Sequence, residues 1–137
     1  MAKPSQSRAA SINDARVRLR TAAAYLEVAD LVLAEDRRIE MPGVAAGLAV
    51  LAGIAASDAI CASQVSQIPR GDDHRAAADL LRTATPDGKK LAAEFLRLID
   101  IKDQAHYGIS IVPISQARSA VRWAQHLVAR ARDEVER

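Results

Sequence analysis

Apolar side chains return every three or four positions in the first quarter of the chain, which is the spacing of one face of an α-helix. This stripe comprises Ile12, Ala15, Leu19, Ala22, Leu26, Ala29 and Leu33. Ser11 lies immediately before the stripe, and Asp14 follows three residues later in a capping-box-like position. The pattern therefore predicts a first amphipathic helix that is capped by Ser11.

A second stripe follows a charged connector at residues 35–42, and it differs from the first because it contains an aspartate. Its members are Val44, Leu48, Leu51, Ala55, Asp58, Ala62 and Val65. A buried carboxylate costs several kcal/mol unless a cation or a hydrogen bond compensates it. We therefore predict that Asp58 has a partner, and the candidates are His74, Lys102, His106 and Tyr107.

A short third helix is predicted after the turn at residues 69–71. Asp72 or Asp73 is suited to accept hydrogen bonds from the free N–H groups at its start, and the helix runs to about Arg82.

The fourth predicted helix begins with Thr85 as its cap and Pro86 in its first position. Gly108 is a natural stop for this helix. Its stripe contains Leu91, Phe95, Leu98, Lys102 and Ala105.

Residues 109–114 are apolar and β-branched and include Pro113, so they are predicted to form an extended connector packed on the bundle. Ser115 then caps a fifth helix. Its apolar face contains Ala117, Val121, Ala124, Val128, Ala131 and Val135.

The composition favours a core formed by closely spaced helices. Half of the 137 residues are hydrophobic, alanine is the commonest of them, and aromatic residues make up 3%. Small side chains let helices approach closely, so such a core forms without bulky groups. We predict an all-α, up-and-down bundle of about five helices, as one domain over residues 11–137 after a disordered N-terminal arm at residues 1–10.

Composition also disfavours several functional classes. Cys61 is the only cysteine, which excludes an intramolecular disulfide and a multi-cysteine metal site. No HxxxH, HExxH, CxxC, Gly-rich phosphate-loop or GxSxG pattern occurs, so we expect no metal and no other cofactor. The net charge of +2 is spread over interspersed acidic and basic residues, which leaves the partner open.

The sequence predicts a cytoplasmic protein with no membrane association. The first ten residues are not followed by the apolar region of a secretory signal. The longest apolar run, at residues 43–56, is too short and too rich in Gly and Ala to span a bilayer, and is typical of a buried helix.

Six polar residues are candidates for a network or ligand pocket. Lys102 and His106 lie four positions apart on one helix face, and Asp103 and Tyr107 lie in the same way on the adjacent face. Asp58 and His74 complete the set. Two interpretations stay open: Asp58 locks helix packing through one ion pair, or these groups form a binding or catalytic site.

The second and fifth helices carry two further features. Gly43, Ala46, Gly47 and Gly53 permit close backbone approach along the second helix, within one chain or across a two-fold axis. The fifth helix carries Trp123, which we expect at the edge of the core or in a dimer contact. His126 and the arginines are expected on a solvated face: Arg118, Arg122, Arg130 and Arg132.

The helix order and three segments resemble a HEPN domain. The segments are LAGIAASDAI in the second helix, GDDHRAAADLL at the third, and LIDIKDQAHYG at the end of the fourth. The resemblance covers nearly the whole chain after Ser11 and is closest to the small stand-alone HEPN proteins of actinobacteria. It implies a helical bundle that forms a homodimer, and many such domains are metal-independent ribonucleases.

HEPN ribonucleases carry an arginine and, after four to six intervening residues, a histidine near the end of the penultimate core helix. His106 matches that histidine by context. The arginine would stand at residues 99–101, which are Ile, Asp and Ile, while Lys102 lies one step too close. A lysine lacks the two-pronged hydrogen bonding of arginine at a phosphate, so the substitution is not conservative.

Three functional hypotheses follow. The first is a non-catalytic HEPN-like module that dimerises and binds a protein, RNA or nucleotide partner, and it is favoured because the motif lacks its arginine. The second is a ribonuclease with His106 as acid or base and Lys102 as phosphate clamp, in which Asp58 or Asp103 orients the histidine. A structural helical protein without a ligand is the third.

Overall fold

The computed structural model describes residues 7–35, 37–71 and 73–137. Within them the chain forms helices α1 (Ile12–Ala34), α2 (Met41–Val65), α3 (His74–Ala84), α4 (Gly88–Asp100), α5 (Lys102–Tyr107) and α6 (Ile114–Val135). Two three-residue strands, β1 (Ser7–Ala9) and β2 (Gln67–Pro69), pair antiparallel. The prediction of an all-α bundle of about five helices is confirmed, with the short helix α5 in addition to five longer ones.

Helix α1 begins as its sequence predicts. The Ser11 hydroxyl accepts a hydrogen bond from the Asp14 N–H at 3.1 Å, and the Asp14 carboxylate accepts one from the Ser11 N–H at 2.8 Å. This reciprocal capping box satisfies two N–H groups that the first turn of a helix otherwise leaves without partners.

Helix α2 is the centre of the bundle, and the other five helices all pack against it. By length and composition alone it could cross a membrane, but 72% of its most apolar stretch is buried inside the protein, as expected for a central core helix. A Cβ at Gly53 would lie 2.5 Å from Leu98 Cδ1, so this glycine lets α4 approach the α2 backbone. The small residues of α2 thus serve contacts within one chain.

The start of the chain differs from its prediction. The segment Ser7–Ala9 is predicted to belong to a disordered arm, but it forms strand β1. In the antiparallel pairing with β2, Ser7 lies opposite Pro69. The Ser7 hydroxyl also donates a hydrogen bond to the side-chain oxygen of Gln67. The rest of the predicted arm, residues 1–6, lies outside the described residues.

The predicted cap of α3 is confirmed for one of its two candidates. The Asp73 carboxylate accepts a hydrogen bond from the Ala76 N–H at 3.0 Å at the start of α3. Asp72, the other candidate, lies outside the described residues.

The predicted fourth helix is wrong at its start and is divided at Ile101, whereas the predicted stop at Gly108 is confirmed as the end of α5. It begins at Gly88 after Asp87, and the Thr85 hydroxyl donates a hydrogen bond to the Asp87 carboxylate at 2.8 Å instead of capping the helix. It ends at Asp100, and α5 starts anew after Ile101. No glycine or proline marks this break, and Ile101 is buried, so the break accompanies tertiary packing of that side chain.

The segment between α5 and α6 is not helical and forms no strand, as predicted. Only Val112 in it is buried, whereas Ile109 and Ile111 are exposed, so most of the connector does not pack on the bundle. Helix α6 begins at Ile114 after Pro113, and the predicted cap by Ser115 is wrong. Pro113 suits this position because its fixed φ ends the connector and its missing N–H costs no helical hydrogen bond.

Candidate functional site

A cleft of about 320 Å³ lies between α2, α3 and α5, beside the loop that follows β2. Five of the six predicted polar residues line it: Asp58, His74, Lys102, His106 and Tyr107. The sixth, Asp103, is exposed and is not among the lining residues. The floor is apolar and includes Leu51, Ile54 and Phe95.

Two short helices bring Lys102 and His74 together. Each is the first residue of its helix, Lys102 of α5 and His74 of α3. The Lys102 Nζ lies 3.2 Å from His74 Nε2. A charged ammonium only donates, so this contact requires His74 to accept at Nε2 and to carry its proton on Nδ1. The His74 ring also packs at a tilt against Phe95, with the ring centroids 6.4 Å apart.

His106 is held by the backbone of α2. Its Nε2 lies 3.2 Å from the carbonyl oxygen of Gly47 and donates to it, because a carbonyl oxygen only accepts. A Cβ at Gly47 would lie 3.0 Å from the His106 ring, so glycine makes room for this contact.

Tyr107 stands at the edge of the cleft. It is 74% exposed, although it also meets the His106 ring edge-on at a centroid distance of 5.9 Å. A large aromatic side chain this exposed at a cleft is available to a ligand.

The predicted partners of Asp58 are wrong. Its Oδ2 accepts hydrogen bonds from Arg18 Nε and Arg18 Nη2 of α1, both at 3.0 Å. Burial raises the pKa of Asp58 above its usual value, although the Arg18 guanidinium opposes this shift. The Arg18 guanidinium of α1 therefore compensates the charge of the Asp58 carboxylate. Lys102 contacts His74. The predicted roles of Asp58 or Asp103 in orienting His106 are likewise wrong, because Gly47 orients it.

The sequence indicated Arg18 only weakly. This residue precedes Leu19 of the predicted stripe, so it flanks the buried face of α1, but nothing in its surroundings points to a residue forty positions away. Phe95 was predicted as a core residue and also forms part of the cleft floor.

Two buried carboxylates, Glu94 and Glu134, are not indicated by the sequence. Glu94 of α4 is 7% exposed, and its Oε2 lies 2.8 Å from His126 Nδ1 of α6. His126 is on the surface as predicted, with its side chain 58% exposed, but it also compensates Glu94. Glu94 precedes Phe95 in the stripe, which was the only signal that it borders the core.

Metal binding has no supporting cluster in the part of the chain that the structure describes. There, no three His, Cys, Asp or Glu side chains converge as metal ligands would. Cys61 is buried, which raises the pKa of its thiol to about 12 and makes it inert as a nucleophile.

No protein-family model and no curated protein sequence matches the chain. The resemblance to HEPN domains therefore stays a prediction, and functional conclusions depend on the chemistry of the cleft.

Proposed function

We propose that the chain is a non-catalytic helical module that dimerises and binds single-stranded RNA through the cleft between α2, α3 and α5. The observation that carries this proposal is the exposed Tyr107 at the edge of a cleft that presents Lys102 and two imidazoles. Aromatic side chains next to cations are the usual elements that bind single-stranded nucleic acid. Of the three partner classes expected from the sequence, RNA fits this chemistry best.

Tyr107 supplies the contact to a base. Every base has an aromatic face, and stacking on an aromatic side chain contributes about 1 to 3 kcal/mol per base. The cleft volume of about 320 Å³ suits a single nucleotide unit of a longer strand.

Lys102 supplies the contact to a phosphate. Its partner, His74, is an imidazole that accepts at Nε2, and the nearby carboxylate of Asp58 is compensated by Arg18. No carboxylate in residues 7–35, 37–71 and 73–137 forms an ion pair with the Lys102 ammonium that an entering phosphate meets. Lysine binds phosphate as a point charge. Such a contact recognises the RNA backbone and does not depend on the base sequence.

A ribonuclease is the second candidate, because Lys102, His74 and His106 line the same cleft. Two imidazoles are the groups that metal-independent cleavage uses as base and acid. Against this candidate, His106 Nε2 is engaged by the Gly47 carbonyl and no arginine lines the cleft.

Fluorescence anisotropy with a labelled single-stranded RNA tests the proposal. We expect Tyr107→Ala to weaken binding about tenfold, because it removes one stacking contact, and Tyr107→Phe to retain it. Lys102→Gln is expected to weaken binding similarly and to lower the salt dependence by about one phosphate contact. The control is Lys89→Gln, which removes an exposed lysine of α4 outside the cleft.

The same samples, kept in EDTA and run on a denaturing gel, separate the two candidates. Intact RNA together with binding supports the proposal. Cleavage by wild type that is lost in His106→Ala would contradict the non-catalytic proposal and support the ribonuclease. If wild type fails to bind at micromolar concentration, or if all four variants bind as wild type does, the cleft is not an RNA site.

The homodimer is proposed to form through Ile109 and Ile111. These two large side chains are 103% and 52% exposed, and a second copy would remove them from water. Light scattering is expected to give twice the mass of the 14.7 kDa chain. Ile109→Glu with Ile111→Glu should give one chain, whereas Val17→Glu, at an exposed site on α1, should not. A wild-type mass of one chain at micromolar concentration would contradict the dimer.

A further inference from the structure

A second cavity, of about 470 Å³, lies where the first half of α1 meets the end of α6. It shares no lining residue with the cleft that holds Lys102. The lining residues are Arg16, Leu19, Arg20, Val135, Glu136 and Arg137.

Two arginines of α1, Arg16 and Arg20, line this cavity. Arg16 and Arg20 lie one turn apart, and like charges at this spacing destabilise a helix by a few tenths of a kcal/mol. Within residues 7–35, 37–71 and 73–137 neither forms an ion pair, and Arg16 has only a 3.4 Å contact to the Asn13 side-chain oxygen. Arg18, between them in sequence, is bound to Asp58. The two outer arginines are thus directed to a different surface from Arg18, the surface that lines the cavity.

Arg137 adds a third guanidinium from the end of α6. It lies 3.3 Å from Glu134, but that carboxylate is already bound by Arg130 at 2.9 Å. Glu136 is the only acidic residue among those that line the cavity. The side chains that line the cavity therefore carry three positive charges and one negative charge.

The base of the cavity is apolar and belongs to the core. Leu19 and Val135 are each 6% exposed, so the guanidinium groups surround a floor that water hydrates poorly. Anion contacts are stronger beside such a low-dielectric surface than in open solvent.

We propose that this cavity is a binding site for a small molecule that carries a diphosphate group. Guanidinium groups bind phosphate oxygens through two parallel hydrogen bonds. Three of them, from two elements, suit a ligand with more than one anionic phosphate. The volume of about 470 Å³ lies in the range of small-molecule sites. The site is independent of RNA binding in the cleft.

Calorimetric titration of the full chain with inorganic pyrophosphate at low ionic strength tests the site. We expect saturable binding that weakens about tenfold or more in Arg16→Gln with Arg20→Gln, because two charge-assisted contacts are lost. The matched control is Arg118→Gln with Arg122→Gln, which removes an exposed pair at the same spacing on α6, where Arg122 likewise has a 3.3 Å contact to Ser119. Binding to this control should change less than about twofold.

Two further titrations test where the anion binds and which class of anion the site prefers. The binding that Arg16→Gln with Arg20→Gln weakens should be retained in Lys102→Gln, and its loss in that variant would place the anion in the cleft and overturn the proposal. Citrate should bind more weakly than pyrophosphate, and equal binding would overturn the phosphate class. Absence of pyrophosphate binding to wild type, or equal losses in both arginine pairs, would overturn the site itself.

Discussion

Phe95→Ala is expected to lower the free energy of unfolding by about 3 to 5 kcal/mol, measured by urea denaturation. Phe95 is the only phenylalanine of the chain and is the largest of the fully buried side chains, at 1% exposure. Alanine is the commonest residue of the hydrophobic core, and its side chain is too short to close the resulting cavity.

Phe95→Ala is also expected to alter the cleft. Phe95 packs against His74 and forms part of the cleft floor, so its removal also releases the ring that Lys102 contacts. Phe95→Leu keeps most of the apolar volume and is the conservative control. Leu96→Ala truncates a half-buried neighbour in sequence, so it should lower the free energy of unfolding by less than Phe95→Ala does. A loss below about 1 kcal/mol for Phe95→Ala would contradict close packing at this position.

Gly88→Ala is expected to destabilise the protein by about 3 kcal/mol. A Cβ at Gly88 would overlap the carbonyl oxygen of Arg82 and lie 2.6 Å from that of Leu81, both on α3. These atoms belong to the backbone, so no side-chain rotation relieves the overlap, and the start of α4 must move away from the end of α3. Thermal and urea unfolding of the variant measure the loss.

Gly43→Ala is the matched control for Gly88→Ala. Gly43 lies in the first turn of α2, where a Cβ would lie 3.5 Å from Val112 Cγ2, an ordinary van der Waals distance. Alanine favours helix by up to about 1 kcal/mol over glycine, so this variant should be as stable as wild type or slightly more stable. Equal losses in both variants would show that the overlap at Gly88 does not decide its effect.

Several residues of the candidate cleft can be predicted from the sequence because polar residues interrupt apolar stripes there. Asp58 in the stripe of α2 and Lys102 in the predicted stripe of the fourth helix each occupy a position that faces the core side. Polar residues at such positions must find compensation, and this requirement singled them out. His74, His106 and Tyr107 were then candidates because the adjoining helix ends brought them near.

The partner of each polar group could not be predicted in the same way. Asp58 meets Arg18 forty positions earlier, and Glu94 meets His126 thirty-two positions later. Each pairing depends on the rotation and offset of two packed helices, which change with a few side chains at their contact. Stripe positions fix which face of a helix is buried but not which neighbour lies beside its edge.

The sequence by itself determined the all-α class, the capping box at Ser11, an aspartate cap for α3 and the buried course of α2. These features arise from interactions within about four residues or from helical periodicity, so they can be recognised locally. Only the tertiary structure decided the break at Ile101, the pairing of Ser7–Ala9 with Gln67–Pro69, and the Arg18 partner of Asp58. Each of these depends on contacts between segments far apart in sequence, where packing outweighs local preference.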